Sequence, residues 1–127
     1  MNDLIGSSAF VTGAGQGVGE GVAHALVDAG VTNITLAARN RSSLERVGEA
    51  LEAKGARVLV QLLDLQDISS IERAVTETRN AFGRIDIAVN SGGVTDRGGL
   101  LDTTPETFDH IFNTNVRGNF FTMQNEA

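Results

Sequence analysis

Short apolar runs alternate along the chain with segments in which apolar residues recur at helical spacing. The apolar runs, each typical of a β-strand, cover residues 9–12, 33–38, 57–63 and 85–89. The helical segments cover residues 19–28, 43–54 and 68–82, and a fourth begins at Pro105. This alternation predicts an α/β fold with a parallel sheet and right-handed crossover connections. With no linker or internal repeat, residues 1–127 are expected to form a single domain.

The helical segments also predict which side chains pack inward. In the first helix the apolar stripe consists of Val22, Ala25, Leu26 and Ala29. Ser42 and Glu45 form a capping box, which predicts that the second helix opens at Ser43. The last helix has Thr104 as its N-cap and Pro105 at its first position. Its predicted buried face consists of Phe108, Ile111, Phe112, Val116 and Phe120.

Composition and charge narrow the classes of function. The net charge of −6 and the pI of about 4.7 argue against a nucleic-acid partner, which would favour a basic face. The chain has no Cys, so we expect neither disulfides nor thiol chemistry. Residues 1–6 show no leader, and no apolar run approaches the ~18 residues of a membrane span. We expect a cytoplasmic protein with no membrane partner, and we assign no metal ligands.

A glycine-rich stretch lies between the first strand and the first helix. Its spacing is Gly-x-x-x-Gly-x-Gly, from Gly13 through Gly17 to Gly19. Unpaired backbone N–H groups and the helix dipole converge at such a turn, and small residues let a pyrophosphate approach the backbone. The spacing fits neither G-x-G-x-x-G nor a P-loop. The stretch therefore indicates an anion site or, alternatively, only a tight turn between strand and helix.

Residues 12–19, TGAGQGVG, resemble the cofactor loop of the short-chain dehydrogenase/reductase (SDR) family, whose pattern is T-G-x-x-x-G-x-G. The resemblance implies a nicotinamide dinucleotide as cofactor. In this loop it implies cofactor contacts from Thr12, Gly13, Gly15, Gln16, Gly17, Val18 and Gly19.

The end of the second predicted strand bears on the form of the cofactor. A fold that binds NAD usually has Asp or Glu about twenty residues after the glycine loop, for the ribose 2′-OH. This chain has Arg39 and Asn40 there instead. A guanidinium can bind a 2′-phosphate that a carboxylate would repel, and in the SDR family a basic residue here accompanies NADP(H). We therefore predict that NADPH is preferred over NADH, unless Arg39 is only a side chain of an exposed loop.

Two further stretches match the family pattern. The resemblance places Asp64 and Leu65 beside the adenine, although the Asp64 carboxylate could instead belong to a loop or to the cap of the next helix. The family's N-N-A-G stretch, which supports the sheet and lets the backbone approach the cofactor, corresponds here to Asn90, Ser91, Gly92 and Gly93. The polar segment 95–103 would then cross the mouth of the site.

Asn115 interrupts the apolar face of the last predicted helix. An inward amide is unfavourable unless it is hydrogen-bonded. It could bond a neighbouring loop carbonyl. The resemblance implies that it is the catalytic Asn of the family, which holds a proton-relay water.

The resemblance covers residues 7–124 but only about the first half of a usual family member. We therefore predict a Rossmann-type parallel sheet of four strands, in the order 3-2-1-4 with flanking helices, truncated relative to a full SDR fold and ending within the fourth helix. The catalytic Tyr-x-x-x-Lys pair of the family has no match, because the chain has no Tyr and its only Lys is Lys54. We expect these 127 residues alone to be inactive in carbonyl reduction, which a turnover assay with NADPH would check.

Three functions remain open. The first is the NADP(H)-binding part of an SDR oxidoreductase, which transfers hydride between NADP(H) and a small carbonyl or alcohol substrate with the missing half of the fold. The second is a standalone dinucleotide-binding or assembly module without catalysis. The third is another Rossmann binder, such as an S-adenosylmethionine methyltransferase, which Arg39 disfavours because an acid is normal at that position.

We also expect a homo-oligomer. The predicted fourth strand lies at an edge of the sheet, where its N–H and C=O groups lack partners. Five phenylalanines lie from Phe82 to Phe121, and many of them would be exposed in an isolated half-fold.

Overall fold

The computed structural model describes residues 4–96 and 98–127 of the chain. Two sequence-based expectations fall partly outside these ranges. They are the absence of a leader in residues 1–6 and the polar segment at residues 95–103.

Strands and helices alternate along the described chain, as the hydrophobic pattern predicts. The strands are β1 (Ser8–Thr12), β2 (Asn33–Ala38), β3 (Arg57–Leu62) and β4 (Ile87–Asn90). The helices are α1 (Gly17–Asp28), α2 (Arg41–Ala53), α3 (Ile68–Phe82), α4 (Pro105–Phe112) and α5 (Asn119–Glu126). A π-helical turn (Asn113–Gly118) joins α4 to α5.

The strands form one parallel sheet in the order β3-β2-β1-β4, which confirms the predicted Rossmann-type topology. β1 lies inside the sheet, where Phe10 pairs with Thr35 of β2 on one side and with Ala88 of β4 on the other. The strand order therefore reverses at β1. In open parallel sheets, ligands bind outside the carboxyl ends of the strands at such a reversal.

The two faces of the sheet are covered by different helices. Because side chains alternate along a strand, Ala9 and Val11 of β1 belong to one core, while Phe10 belongs to the other. The first core includes residues of α1 and α2, namely Ala23, Leu44, Val47 and Leu51. The second includes residues of α3, namely Ile71, Ala74 and Val75. Phe10 is fully buried, and burial of such a side chain contributes about 1.5–3 kcal/mol.

Helix α1 differs from its prediction in its start and in its buried stripe. It begins at Gly17 rather than Gly19, directly after the extended residue Gln16. Its buried residues are Gly19 and Ala23, whereas Ala25, which was expected to face inward, is exposed. Small residues at the contact let this helix lie close to the sheet, and a pattern that weighs apolar size does not detect them.

The capping box predicted for α2 is wrong. Asn40 is the N-cap, because its side-chain Oδ1 accepts hydrogen bonds from the Ser43 backbone N–H at 3.0 Å and from the Ser42 hydroxyl at 2.8 Å. Glu45 instead lies 3.9 Å from the Arg41 guanidinium. Asn caps a helix as well as Ser does, so the helix opens at Arg41 rather than Ser43.

Three strands also differ from their predicted bounds, and β1 begins at Ser8 rather than residue 9. β3 ends at Leu62 rather than Leu63, and β4 covers Ile87–Asn90 rather than residues 85–89. Just before β4, the Asp86 side chain accepts a hydrogen bond from β1 in place of a backbone carbonyl. Its Oδ2 accepts from the Ser8 backbone N–H at 2.8 Å, while the Asp86 N–H donates to the Ser8 carbonyl at 2.8 Å.

The last helical segment differs most from its prediction. Thr104 caps α4 as expected, accepting from the Thr107 N–H at 3.2 Å, but the helix gives way to the π-helical turn after Phe112. The predicted buried face is wrong, because Ile111 is only partly buried and four of its other members are about half exposed: Phe108 (52%), Phe112 (48%), Val116 (58%) and Phe120 (55%). The π turn widens one helical turn and changes the positions that face inward. The buried residues of the segment are Thr114, Gly118 and Thr122.

The Asp86 contacts predict a pH-dependent contribution to stability. Its hydrogen bonds from Arg84, at 2.7 Å, and from the Ser8 amide lower the pKa of the Asp86 carboxyl. A carboxyl with a lowered folded-state pKa stabilises the fold above its unfolded pKa, and this contribution is lost as the pH falls through the folded value.

We therefore expect Asp86→Asn to lower the urea midpoint at neutral pH, and the difference from wild type to shrink below about pH 4. Asp109→Asn, which removes a carboxylate from the exposed surface of α4, is the control. A midpoint difference that persists unchanged at low pH would contradict this role of the Asp86 charge.

Candidate functional site

A cleft of about 470 Å³ lies at the carboxyl ends of the strands. The segments that follow all four strands contribute to its lining, together with the first turn of α1. The lining contains every predicted cofactor-contact residue except Asn90: Thr12, Gly13, Gly15, Gln16, Gly17, Val18, Gly19, Arg39, Asn40, Asp64, Leu65, Ser91, Gly92 and Gly93. The structure thus brings together residues from four separate parts of the sequence.

The glycine turn forms one wall of the cleft. Gly17 opens α1 with a φ of +57°, and a Cβ built on it has no atom of the described chain within 4 Å. Gly19, two residues later, packs so closely on Gly13 that a Cβ there would overlap the Gly13 carbonyl. Gly17 thus leaves open space beside the helix N-terminus, and the contact of Gly19 with Gly13 holds the helix against the end of β1. An anionic group can therefore approach the backbone amides of this turn.

Hydrogen bonds join the ends of β1 and β4 at the floor of the cleft. The Ser91 hydroxyl donates to the Thr12 carbonyl at 2.6 Å, and the Gly92 N–H donates to the Thr12 hydroxyl at 3.4 Å. These bonds fix Thr12 through both its backbone and its side chain. They place the segment after β4 directly beside the glycine turn.

The end of β2 carries the positive charge of the lining. Arg39 is exposed at the rim, next to Asn40 and to Ser43 of α2. The Asn40 side-chain oxygen is already occupied by the α2 cap, so its amide NH₂ is the group that remains for a ligand. A guanidinium at an open rim is suited to binding a phosphate.

The end of β3 presents Asp64 and Leu65 to the cleft. Asp64 is a loop carboxylate, as one of the alternatives predicts, since its Oδ1 accepts from the Gln66 backbone N–H at 2.9 Å. The helix cap belongs to Asp67, which accepts from the Ser69 N–H at 3.0 Å. Leu65 is 6% exposed and gives this end of the cleft an apolar surface.

Asn90 lies outside the lining. It is the last residue of β4, and its side-chain NH₂ donates to Glu126 Oε1 at 2.9 Å. Burial raises the pKa of the Glu126 carboxyl, against the opposing effect of this hydrogen bond. Asn90 thus ties the edge strand β4 to α5 and is not part of the cleft lining.

Asn115 also lies outside the lining, and its amide is engaged with the loop after β4. Its Oδ1 accepts from the Val94 N–H at 2.8 Å, and its Nδ2 donates to the Val94 carbonyl at 2.7 Å. This is the bond to a neighbouring loop that the sequence left open. The catalytic role implied by the resemblance stays a prediction.

Five lining residues were not identified from the sequence: Ala38, Ser43, Leu63, Val94 and Thr114. Ala38 and Leu63 each directly precede a predicted cofactor-contact residue, so their position at a strand end could have indicated that they line the cleft. Thr114 is 6% exposed, and its hydroxyl has no hydrogen-bond partner within the described chain. An unpartnered hydroxyl and the open space at Gly17 fit a site for an elongated polar ligand such as a dinucleotide.

Residues 4–96 and 98–127 contain neither a metal-ligating cluster nor a membrane-spanning helix. No group of three or more His, Cys, Asp or Glu side chains there could hold a metal ion. No helix in the same ranges has the length and apolar character needed to cross a membrane.

Known proteins share this architecture. The family model for the short chain dehydrogenases matches residues 7–126. Versicolorin reductase 1 of Aspergillus parasiticus is 37% identical over 118 residues, which cover 93% of this chain and 45% of that protein. A dehydrogenase/reductase of Sinorhizobium meliloti has a TM-score of 0.91 at 32% identity, covering 97% of this chain and 49% of that structure.

A blue fluorescent protein from a metagenomic library, solved in complex with NADPH, has a TM-score of 0.90 at 30% identity. The match covers 99% of this chain and 51% of that structure. The chain therefore spans about half the length of the relatives it matches.

The open space at Gly17 predicts the effect of filling it. Gly17→Val should abolish NADPH binding while helix content by circular dichroism stays near that of wild type, because the branched side chain would occupy the space beside the amides. Gly83→Val is the matched control, since Gly83 is exposed, also has a positive φ (+81°) with no atom of the described chain within 4 Å of a Cβ, and lies outside the cleft lining. Unchanged NADPH affinity by calorimetry in a folded Gly17→Val variant would refute this site.

Proposed function

The chain belongs to the short-chain dehydrogenase family, and we propose that it forms the NADP(H)-binding part of an oxidoreductase that acts on a small carbonyl or alcohol substrate. The observation that carries the proposal is the glycine turn at the N-terminus of α1, which opens onto a cleft with Arg39 at its rim. The bound cofactor would supply the hydride-transfer chemistry. The residues of the chain would bind and orient it.

The glycine turn would bind the pyrophosphate. The amides of the first turn of α1 lack intrahelical partners and carry the positive end of the helix dipole. In the cleft, Gly17 leaves the approach to these amides open. Thr12, Gly13, Gly15, Gln16, Val18 and Gly19 complete the wall on this side.

The ends of β2 and β3 would bind the adenosine half. We propose that Arg39, with the side-chain NH₂ of Asn40, binds the 2′-phosphate of NADP(H). Leu65 would provide an apolar contact to the adenine, and Asp64 a polar group at its edge. A structural neighbour solved with NADPH is consistent with this form of the cofactor.

The segment after β4 would adjoin the nicotinamide half. Ser91, Gly92 and Gly93 line the cleft there, and Asn90 supports them from the end of the strand. We propose Asn115 as the contribution of this chain to the catalytic site. Its two bonds to Val94 would hold that loop in place beside the cofactor.

The preference between cofactors tests the proposal. A charge-assisted contact of Arg39 with the 2′-phosphate is worth ~1.5–3 kcal/mol, which corresponds to roughly 10–100-fold in affinity. NADPH should therefore bind more tightly than NADH in fluorescence titrations. Arg39→Asp should reverse that order, because a carboxylate repels the phosphate and can accept from the ribose hydroxyls.

Arg73→Asp is the control, because Arg73 is exposed on α3 and outside the cleft lining. Equal affinities of wild type for NADPH and NADH would count against the role of Arg39. Binding of neither dinucleotide would refute the proposed function as a whole.

We further propose that the protein is a homo-oligomer. The support is a row of half-exposed apolar side chains on the last helical segment, Phe108, Phe112, Val116, Phe120 and Met123. Exposed apolar area of this kind favours association. Light scattering after size exclusion should give a dimer or larger species at micromolar concentration, and a monodisperse monomer would contradict this.

A further inference from the structure

Arg46 joins the glycine turn, α1 and α2 through a single guanidinium. Its Nη1 donates to Glu20 Oε2 at 3.1 Å, and its Nη2 donates to Glu20 Oε1 at 3.1 Å. The same Nη2 also donates to the Gly15 carbonyl at 3.1 Å. The planar fork of Arg suits such a two-point contact with a carboxylate. Arg46 does not belong to the cleft lining, yet it bonds to Gly15, which does.

α2 also packs directly on the glycine turn. A Cβ on Gly15 would lie 3.0 Å from the Ser43 Cβ, so the turn and the first turn of α2 are in close contact. Arg46 follows Ser43 on the next turn of α2 and bonds to the carbonyl of the same glycine. Two residues of α2, Ser43 and Arg46, thus contact Gly15 and help to fix its position.

Glu20 gives the contact an electrostatic consequence. It lies in the first turn of α1, the turn whose amides face the proposed pyrophosphate site. A carboxylate there suits the helix dipole but repels a phosphate. Glu20 is a carboxylate at neutral pH, as an unperturbed Glu is, and the hydrogen bond from Arg46 lowers the pKa of its carboxyl further. Arg46 supplies the charge that compensates it.

We propose that Arg46 is a positioning residue for the dinucleotide: it holds the Gly15 carbonyl and compensates the Glu20 charge beside the pyrophosphate site. The inference rests on the proposed function. The ion pair is partly exposed, with 60% of the Arg46 and 27% of the Glu20 side chain accessible, so its contribution to overall stability is small. Its effect should be seen in affinity for the cofactor.

The test is a set of titrations with NADPH and NADH. Arg46→Gln should raise the Kd for both cofactors by the same factor, about 3- to 10-fold, because both carry the pyrophosphate. A change at Arg39 should instead affect mainly NADPH. Arg46→Lys should lie between wild type and Arg46→Gln, because an ammonium keeps the charge but lacks the planar fork.

Removing the Glu20 carboxylate distinguishes two roles of Arg46, compensation of the Glu20 charge and the hydrogen bond that holds the Gly15 carbonyl. Glu20→Gln should leave the Kd unchanged or lower it, and Glu20→Gln with Arg46→Gln should recover part of the affinity lost in Arg46→Gln alone. The defect of Arg46→Gln should also shrink as salt screens the free carboxylate. Arg73→Gln and Glu72→Gln, exposed on α3, are the charge-matched controls.

The outcomes distinguish this inference from the proposed function. An unchanged Kd in Arg46→Gln, in a protein that binds NADPH, overturns the role of Arg46 and leaves the proposed function standing. Equal losses in Glu20→Gln and Arg46→Gln, with no recovery in the double variant, would indicate a brace without charge compensation and also overturn the proposal. A wild type that binds neither NADPH nor NADH overturns both. Circular dichroism melts show whether each variant is folded, and Arg46→Lys replaces Arg46→Gln if the latter is not.

Discussion

The geometry of the cleft depends on the close contact between the first turn of α1 and the end of β1. Gly19 lies against the Gly13 carbonyl and near the Ser91 hydroxyl, so there is no room for a side chain at this position. Ser91 in turn donates to the Thr12 carbonyl, which brings the end of β4 to the same point. A larger residue at position 19 would push the helix N-terminus away from the sheet and separate the parts of the site that different strands contribute.

The parallel sheet, the strand order, the starts of α3 and α4 and the packing face of α2 were predictable from the sequence. The starts of α1 and α2 and the packing faces of α1 and the last helical segment were not. The sheet order follows from the alternation of strands and helices and from the glycine motif after the first strand. Both signals extend over many residues, so a change at one residue does not alter them. The start of α2 depends on which of two good caps, Asn40 or Ser42, is used, and one hydrogen bond decides between them. Arg46 is 26 residues from Glu20 and 31 residues from Gly15 in the sequence. No recognisable motif links these three positions, so the sequence alone does not predict their contacts.

α2 links the two ends of the proposed cofactor site. Its cap, Asn40, follows Arg39 at the rim, so the helix start and the cationic end of the cleft are fixed together. Ser43 of the same helix lines the cleft and contacts Gly15. The 2′-phosphate and the pyrophosphate of NADP(H) are attached to the same ribose, so the distance between them can vary only over a limited range. Arg39 directly precedes α2, and Gly15 of the glycine turn contacts it. The groups proposed to bind the 2′-phosphate and the pyrophosphate are therefore held at a set separation by one rigid helix.

The last helical segment shows why apolar spacing is a poor guide near a site. A uniform helix would place Phe108, Phe112, Val116 and Phe120 on nearly one face, and that face is half exposed. The π-helical turn instead directs Thr114 to the cleft, Asn115 to Val94 and Gly118 against the Leu65 carbonyl. Such turns occur often at functional sites because they orient side chains that a regular helix cannot. Here the turn contacts the loop after β4 and the loop after β3 at once, so the two halves of the cleft are held at a set separation by one short stretch of backbone.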